Sequence, residues 1–337
     1  MNSIDVHAHY CPAEYFKRLE SRKSLPYVRP AADGSWLLRY GKNKSSSIRK
    51  RMYALEHRLE EMDSLGIKTQ VLSPLLHGIH RLPPETALDL CRLVNDGVAD
   101  IAQKYKDRFH GFGVLPLQGI EQSLAELERV ILILGFKGVI FFSNIEGEFL
   151  DAPRLWPLYE RVAALGIPVF LHPTHPVNDK GMKDHNLVSC LGFLYDTTLV
   201  MARIIFSGLL ERYAGLKFIL PHLGSLIPYI TARIDKEMSR DAKKNSLRQL
   251  PSEYFKAVYV DTVSLHAPAL MLAHNYLGSE KILFGCDYPF WGLGEGMDSV
   301  QRLNIPDQDK ENIFFRNAQK LFGLPLRENS QRPAERR

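Results

Sequence analysis

The feature that most constrains the fold of this chain is a repeated alternation between short apolar, β-branched segments and longer amphipathic segments. Eight segments have the pattern of strands: Ile4–His9, Thr69–Ser73, Gly111–Leu115, Phe136–Phe141, Pro168–Leu171, Lys217–Leu220, Val258–Asp261 and Lys281–Phe284. Between and after them lie helical patterns: Tyr53–Leu65, Pro84–Tyr105, Ile120–Leu134, Pro153–Leu165, Leu194–Tyr213, Ile227–Lys243, Pro268–Leu277 and Asp307–Phe322. Alternating strands and helices predict a parallel sheet with right-handed crossovers, and eight such units close into an α/β barrel of the (β/α)8 TIM type. A doubly wound open sheet is the alternative, but no glycine-rich phosphate-binding turn follows any strand, so the sequence favours the barrel.

One long segment interrupts this alternation directly after the first strand. Residues 11–51 contain three prolines, a short strand-like piece at Ser35–Tyr40 and a basic, serine-rich run, and they otherwise look irregular. Because structureless loops of this length are uncommon inside a compact domain, we predict an insertion that folds over the active-site end of the barrel as a lid. We expect one barrel domain over residues 1–325, followed by a basic, flexible tail at 326–337.

Composition and charge argue against several classes of function. The 43 basic and 38 acidic residues give a net charge of +5, which is too small to predict nucleic-acid binding but suits a small anionic ligand. The longest apolar run, Thr198–Leu210, is interrupted by Arg203 and Ser207, so we expect no membrane span. The four cysteines form no Cys-x-x-Cys pair, and the chain opens on a core strand without a signal peptide, which favours reduced thiols and a cytoplasmic location.

Chemically useful side chains follow several of the predicted strands. His7 and His9 alternate along the first strand and therefore point to the same side. His172 ends the fifth strand, His222 follows the sixth, and Asp287 follows the eighth. Since barrel enzymes build their sites at the carboxyl ends of the strands, these residues should converge, and imidazole and carboxylate groups suit Zn²⁺ or a similar cation.

Each of these residues has a simpler interpretation when taken alone. His172 precedes a proline and could end its strand, His222 could cap a helix, and Asp287 could be an ordinary turn residue before Pro289. The coincidence of all of them at one end of a single barrel favours metal binding.

Four short segments resemble the amidohydrolase superfamily: Asp5–His9, Leu171–Pro173, His222–Gly224 and Gly285–Phe290. The resemblance runs from the first strand to the last helix. Within the superfamily it is to the amidohydrolase-related branch that contains 2-amino-3-carboxymuconate-6-semialdehyde, γ-resorcylate and 5-carboxyvanillate decarboxylases, for which the segment Arg58–Asp63 is also typical. Two-metal members carry a carbamylated lysine at the end of the fourth strand, whereas Lys137 lies at the start of that strand, so a single metal ion is expected.

The resemblance implies a role for each residue of the predicted site. His7, His9, His172 and Asp287 would ligate one divalent ion, with Zn²⁺ preferred and Mn²⁺ as the alternative. His222 would stand beside a metal-bound water as a general acid or base, and Asp287 would be the other source of a proton.

Substrate binding is implied less directly. Relatives use an arginine at the position of Arg233 to bind a substrate carboxylate across a dimer interface, which predicts a homodimer. A second such arginine comes from the early insertion, where Arg49 or Arg51 would fill the role; a surface salt bridge is the alternative for all three. His175 would either reach the substrate or pack in its loop. Ser225 stands where relatives often have an acidic residue, and it would orient His222 by a hydrogen bond without raising its basicity.

Taken together, the resemblance implies a metal-dependent, non-oxidative decarboxylase of an unsaturated or aromatic carboxylic acid. A hydrolase of a lactone, amide or C–C bond, using the same metal and water, is the alternative, and hydratases also occur in the branch. A barrel with a purely structural metal is disfavoured because His222 stands apart from the four ligands, and a binding protein for an anionic ligand is a further alternative. We expect no organic cofactor, since no lysine stands out for a Schiff base and no nucleotide motif is present.

Overall fold

The structure, a computed structural model, describes residues 3–42, 44–240 and 247–324, except the side chains of residues 239 and 240. The predicted tail, 326–337, and the predicted domain boundary at residue 325 lie outside the described residues. Within them the strands are β1 Ser3–His9, β2 Tyr27–Pro30, β3 Trp36–Gly41, β4 Lys44–Ile48, β5 Ile67–Ser73, β6 Phe109–Val114, β7 Gly138–Phe142, β8 Asn144–Ile145, β9 Glu148–Phe149, β10 Pro168–His172, β11 Lys217–Leu220, β12 Tyr259–Asp261 and β13 Ile282–Leu283.

Eight of these strands form one parallel barrel. Their order is β1-β5-β6-β7-β10-β11-β12-β13, so each strand pairs with the next one of the repeat. The sheet closes because β1 also bonds to the chain that follows β13: the Val6 amide donates to the Phe284 carbonyl at 2.9 Å, and the His9 amide to the Tyr288 carbonyl at 2.6 Å. The predicted (β/α)8 barrel is confirmed, and its parallel strands bring all their carboxyl ends to one face.

Helices follow the barrel strands and cover their outer side. They are α1 Ala13–Glu20, α2 Glu56–Leu65, α3 Pro84–Lys104, α4 Ile120–Glu128, α5 Trp156–Leu165, α6 Phe193–Phe206, α7 Leu209–Arg212, α8 Ile227–Arg240, α9 Pro251–Ala257, α10 Ala267–Leu277, α11 Leu293–Gln301, α12 Asp307–Glu311 and α13 Asn317–Phe322. The helix predicted at Leu194–Tyr213 is divided into α6 and α7, because Gly208 takes a left-handed conformation with φ of 75°. Helices α9 and α11 were not predicted from the sequence.

One helical stretch has the length and hydropathy of a membrane span. Val188–Phe206, a π-helical turn followed by α6, meets both criteria, and 44% of its most apolar window is buried inside the fold. Val200, Met201, Ile204 and Ile205 belong to the main core cluster, as expected for a helix that packs on a barrel. A single helix of this kind is weak evidence for a membrane.

The insertion after β1 is regular, and our expectation of an irregular segment was wrong. It consists of α1 and a three-stranded antiparallel sheet in the order β2-β3-β4, in which β3 pairs with both neighbours. Tyr15 and Phe16 of α1 and Leu38 of β3 are buried in one cluster with residues of α3. The insertion is thereby fixed against the barrel, and Tyr40 of β3 and Ser45 and Ser46 of β4 lie in one cavity wall with His172, at the carboxyl end of β10.

Candidate metal centre

Four side chains converge at the carboxyl ends of the barrel strands, as the sequence predicts. The candidate ligand atoms of His7, His9, His172 and Asp287 all lie within 4.8 Å of one another, and all four residues are buried. The His7 and His9 Nε2 atoms are 3.0 Å apart, and Asp287 Oδ1 lies 2.9 Å from His9 Nε2 and 3.4 Å from His7 Nε2. Donor atoms about 2.0 Å from one shared tetrahedral ion are roughly 3.3 Å apart, so this spacing fits a single metal ion.

Hydrogen bonds on the outer side of the three histidines fix which nitrogen faces the centre. His7 Nδ1 is 2.6 Å from Asp261 Oδ2, His9 Nδ1 is 3.0 Å from the Ser73 carbonyl, and His172 Nδ1 is 2.8 Å from the Pro173 carbonyl. Since carbonyl and carboxylate oxygens only accept, each Nδ1 donates outward and each Nε2 turns its lone pair inward. Three lone pairs and a carboxylate that face one another require a cation between them, and the donor set therefore fits a divalent metal ion.

The electrostatics of the cluster agree with that requirement. Burial lowers the pKa of His9, and burial together with the neighbouring His9 and His7 lowers the pKa of His172 well below its usual value. Burial by itself raises the pKa of Asp287, but His7, His222 and His9 outweigh it and hold that pKa well below the usual range. Burial lowers the pKa of His7 as well, but Asp287 and Asp261 outweigh it, so the pKa of this imidazole is raised. The shifts of His9, His172 and Asp287 thus favour the protonation states in which these groups bind metal, and a cation at the centre would take the place of the proton that the two carboxylates favour on His7.

Asp261 belongs to the candidate site, and sequence reasoning missed it. Its side chain is fully buried at the end of β12. One oxygen accepts from His7 Nδ1, and the other accepts from the backbone amides of His222 at 2.8 Å and Val263 at 3.0 Å. The carboxylate therefore fixes a predicted metal ligand and the predicted acid/base residue together. Its position at the end of the seventh strand was the available signal.

A buried hydrogen-bond network fixes the position of β1. Asp5 accepts from the His7 and Cys286 amides at 3.0 and 3.1 Å and from Gln70 Nε2 at 2.8 Å, and burial raises its pKa to about 6. Arg58, fully buried, donates to Gln70 Oε1 at 3.3 Å and to the His9 carbonyl at 2.6 Å. These bonds tie β1 to β5 and to the segment after β13, and so set the position of His7 and His9 relative to Asp287.

His222 stands beside the four-residue cluster without joining it. Its Nε2 lies 3.8 Å from Asp287 Oδ2. His222, Leu223 and Ser225 all have positive φ angles, between 56° and 60°, so the backbone is held in a conformation that is unusual for such residues. Among the described residues His222 Nδ1 and Ser225 Oγ have no hydrogen-bond partner, and the orienting bond expected from Ser225 to His222 is not formed.

A cavity of about 770 Å³ opens above this cluster. His172, His222 and Asp287 form part of its wall, and the insertion contributes Tyr40, Ser45 and Ser46. The remaining wall is largely apolar and aromatic and includes Leu75, Met182, Val188, Phe193, Leu194, Phe290 and Trp291. A cavity of this size with a few convergent polar groups suits a small aromatic or unsaturated ligand.

The predicted substrate-binding residues differ in whether they line the cavity. His175 lines the cavity, with its Nε2 2.9 Å from Asp179 Oδ2. The three arginines do not line it within one chain: Arg49 and Arg233 are exposed, and the Arg51 guanidinium lies 3.9 Å from Glu61. Of the lysines and arginines among the described residues, Lys183 alone lines this cavity.

The fold and this cluster define a class of protein, and comparison with known proteins agrees. A family profile described as Amidohydrolase matches residues 4–324, so the chain belongs to the amidohydrolase family. It is 34% identical to the 2-amino-3-carboxymuconate-6-semialdehyde decarboxylase of Dictyostelium discoideum over 278 residues, which are 79% of this chain and 76% of that protein.

Two solved structures extend the likeness. A 5-carboxyvanillate decarboxylase from Sphingomonas paucimobilis superposes with a TM-score of 0.85 at 25% identity, over 96% of this chain and 99% of the other. A dihydroxybenzoic acid decarboxylase from Polaromonas sp. JS666, with bound manganese and the inhibitor 2-nitroresorcinol, superposes with a TM-score of 0.80 at 28% identity, over 96% and 98% of the two chains. The branch named from the sequence motifs is confirmed.

Proposed function

We propose that this protein is a metal-dependent, non-oxidative decarboxylase, a carboxy-lyase, of a small aromatic or unsaturated carboxylic acid. The observation that carries the proposal is the His₃Asp cluster in the wall of a largely apolar cavity, with His222 3.8 Å from Asp287. Relatives with decarboxylase activity in their names support this reaction over hydrolysis of a lactone, amide or C–C bond.

In this proposal His7, His9, His172 and Asp287 hold the metal ion. When bound, the ion supplies a Lewis acid that polarises the oxygens of the substrate. CO₂ leaves when the bond between the carboxyl carbon and its neighbour breaks. The bonding electron pair stays on the neighbouring carbon, which must take up a proton before or as this bond breaks. His222, at the cavity wall beside Asp287, holds a proton at Nε2 and delivers it to that carbon as a general acid.

The experiment that tests the function is CO₂ release from a panel of aromatic and muconate-type acids. We expect release from at least one acid by metal-loaded protein, none after chelation, and recovery when metal is restored. Lactones and amides belong in the same panel, and their consumption in place of the acids would assign a hydrolase. Metal analysis of the purified protein decides between Zn²⁺, which the sequence favours, and Mn²⁺, which is bound in the Polaromonas structure.

We further propose a homodimer, located in the cytoplasm, in which the partner subunit covers the cavity mouth. Tyr229 of α8 lines the cavity and is nevertheless 82% exposed, and Arg233 lies one turn further along the same helix. An exposed aromatic residue at a cavity mouth supports a surface that is covered in the assembled protein.

The predicted roles of the three arginines in substrate binding can be tested by substitution. We expect Arg233→Gln to raise KM about tenfold, because a charged hydrogen bond to the substrate carboxylate is lost. Arg49→Gln and Arg51→Gln should raise KM only if those side chains reach the cavity in the substrate complex. Steady-state kinetics and light scattering on the same samples are the measurements, and a monomeric protein with unchanged KM in Arg233→Gln would refute the shared site.

A further inference from the structure

The end of the fourth barrel strand, β7, supplies none of the four candidate metal ligands, but two buried polar residues follow it. These are Ser143 and Asn144. Ser143 Oγ donates to Asp196 Oδ2, and Asn144 Nδ2 donates to the same oxygen at 3.1 Å. Asp196 lies in the first turn of α6, and only 1% of its surface is exposed. The residues after β7 therefore converge on a buried carboxylate.

A further hydrogen bond of Ser143 leads to a candidate metal ligand. The Thr174 amide donates to Ser143 Oγ at 3.1 Å, and this amide belongs to the same planar peptide unit as the Pro173 carbonyl. That carbonyl accepts from His172 Nδ1 at 2.8 Å, which leaves His172 Nε2 facing the metal centre. Since Ser143 Oγ donates its own hydrogen to Asp196, a continuous series of groups joins the imidazole to the carboxylate. We call His172, the Pro173–Thr174 peptide unit, Ser143 and Asp196 the relay.

All the hydrogen bonds of the relay point in the same direction. The imidazole N–H donates to a carbonyl, the amide of the same peptide unit donates to a hydroxyl, and the hydroxyl donates to a carboxylate. Hydrogen bonds in series polarise one another, and an ionised acceptor at the end of the series strengthens it. A histidine whose outer N–H is held in this way is fixed in its tautomer and ring orientation and is a more basic ligand at its inner nitrogen. The carboxylate can therefore act on the metal centre without touching it.

Two more hydrogen bonds hold the chain that carries the Pro173–Thr174 peptide unit. Asn144 Nδ2 also donates to the His175 carbonyl at 3.0 Å, and the Val177 amide donates to Asp196 Oδ1 at 3.2 Å. Pro173 has no amide hydrogen of its own, so no backbone donor of this residue can fix it. The position of its carbonyl depends on the bonds that the following residues make, and Asp196 accepts one of these directly and supports another through Ser143.

We propose that Asp196 is a positioning residue of the metal centre, which acts through Ser143 and the Pro173–Thr174 peptide unit on the orientation and basicity of His172. The inference rests on the proposed function only in taking His172 to be a metal ligand. It gives the end of the fourth strand a role in supporting the ligand on the next strand of the barrel. His172 is then held by a buried carboxylate, as His7 is held by Asp261, but through two intervening groups.

The dissociation constant for Mn²⁺, measured by competition with a chelator, tests the inference without requiring turnover. Ser143→Ala removes the hydroxyl of the relay, and Asp196→Asn replaces its accepting carboxylate with an uncharged amide. We expect each substitution to weaken Mn²⁺ binding about tenfold, the lower end of the effect of losing the outer partner of a ligating histidine, because His172 keeps the Pro173 carbonyl. Since both substitutions interrupt the same series of bonds, the double variant should also be weakened about tenfold, whereas independent effects would multiply to about a hundredfold.

Thr197→Val is the matched control. Thr197 is adjacent to Asp196 in α6 and fully buried, and its hydroxyl donates to the Phe193 carbonyl within the helix at 2.9 Å. The substitution removes a buried hydrogen bond of the same helix but no bond of the relay, so Mn²⁺ affinity should stay within about twofold of the wild-type value. The visible absorption of the Co²⁺-loaded protein, which depends on the geometry and strength of the ligands, should change in Ser143→Ala and Asp196→Asn but not in Thr197→Val.

The outcomes separate this inference from the proposed function. Unchanged Mn²⁺ affinity in Asp196→Asn, an equal loss in Thr197→Val, or multiplied losses in the double variant would overturn the relay even if CO₂ release is observed. The expected pattern of affinities, with no CO₂ release from any acid, would support the relay and overturn the decarboxylase. Wild-type protein that binds no divalent ion would overturn the metal centre, and the relay and the proposed function with it.

Discussion

Replacing His222 with glutamine is expected to lower kcat by a factor of about 10² to 10⁴ without removing the metal ion. Glutamine keeps a polar side chain of similar size but cannot deliver a proton. Since His222 lies beside Asp287 and outside the four-residue cluster, the metal content should stay that of the wild-type protein. Single-turnover CO₂ release and metal analysis on the same preparation are the measurements.

A control variant and an isotope measurement complete this experiment. His57→Gln, at a side chain that is 73% exposed on α2, should leave kcat unchanged. In His222→Gln the uptake of deuterium from solvent into the product should slow together with CO₂ release, because one proton completes the reaction. A variant that keeps full kcat, or one that loses its metal, would remove His222 from the role of proton donor.

Asp261→Asn is expected to weaken metal binding by about 10- to 100-fold, the effect typical of losing the hydrogen-bond partner of a ligating histidine. The amide is uncharged, and one of its two polar groups is an N–H donor. It therefore cannot accept from His7 Nδ1 on one side and from the backbone amides of His222 and Val263 on the other, as the carboxylate does. The measurement is the dissociation constant for Mn²⁺ or Zn²⁺, by competition with a chelator.

The chain offers a matched control for this substitution. Asp309 accepts from His274 at 2.9 Å, a second aspartate–histidine pair that lies on the outer helices, far from the cluster. Asp309→Asn should leave metal affinity unchanged. If Asp261→Asn binds metal as tightly as the wild-type protein and loses only kcat, then Asp261 acts on His222 alone and the account of His7 given above is wrong.

The parts of this protein that could be predicted from sequence are those that follow from topology. Eight strand–helix units dictate a barrel, and parallel strands bring their carboxyl ends together, so His7, His9, His172 and Asp287 had to meet once the strands were found. Asp261 was missed although it ends the seventh strand. Its role depends on the register that places β12 beside β11 and close to β1, and no local pattern in the sequence records that register.

The structure of the insertion and the positions of the arginines could not be predicted from the sequence either, and the physical reason is a different one. β4, Lys44–Ile48, contains three consecutive serines, which have little preference for strands, and it becomes a strand because β3 supplies its hydrogen-bond partners. The path of this antiparallel sheet decides that Tyr40, Ser45 and Ser46 line the cavity above the metal centre and that Arg49 and Arg51 do not. That path follows from packing of α1 and β3 on α3, which is long-range information.

The barrel supplies the candidate metal ligands and the insertion supplies part of the cavity wall, which has a consequence for how such proteins diversify. All four residues of the candidate metal centre lie on or just after barrel strands, whereas Tyr40, Ser45 and Ser46 of the cavity wall come from the segment between β1 and α2. Changes in the length or composition of that segment can therefore alter which acid is accepted while the chemistry stays intact. For protein engineering, the segment between β1 and α2 is an exchangeable part. Grafting this segment from another family member is a route to a new substrate range while the metal centre stays unchanged.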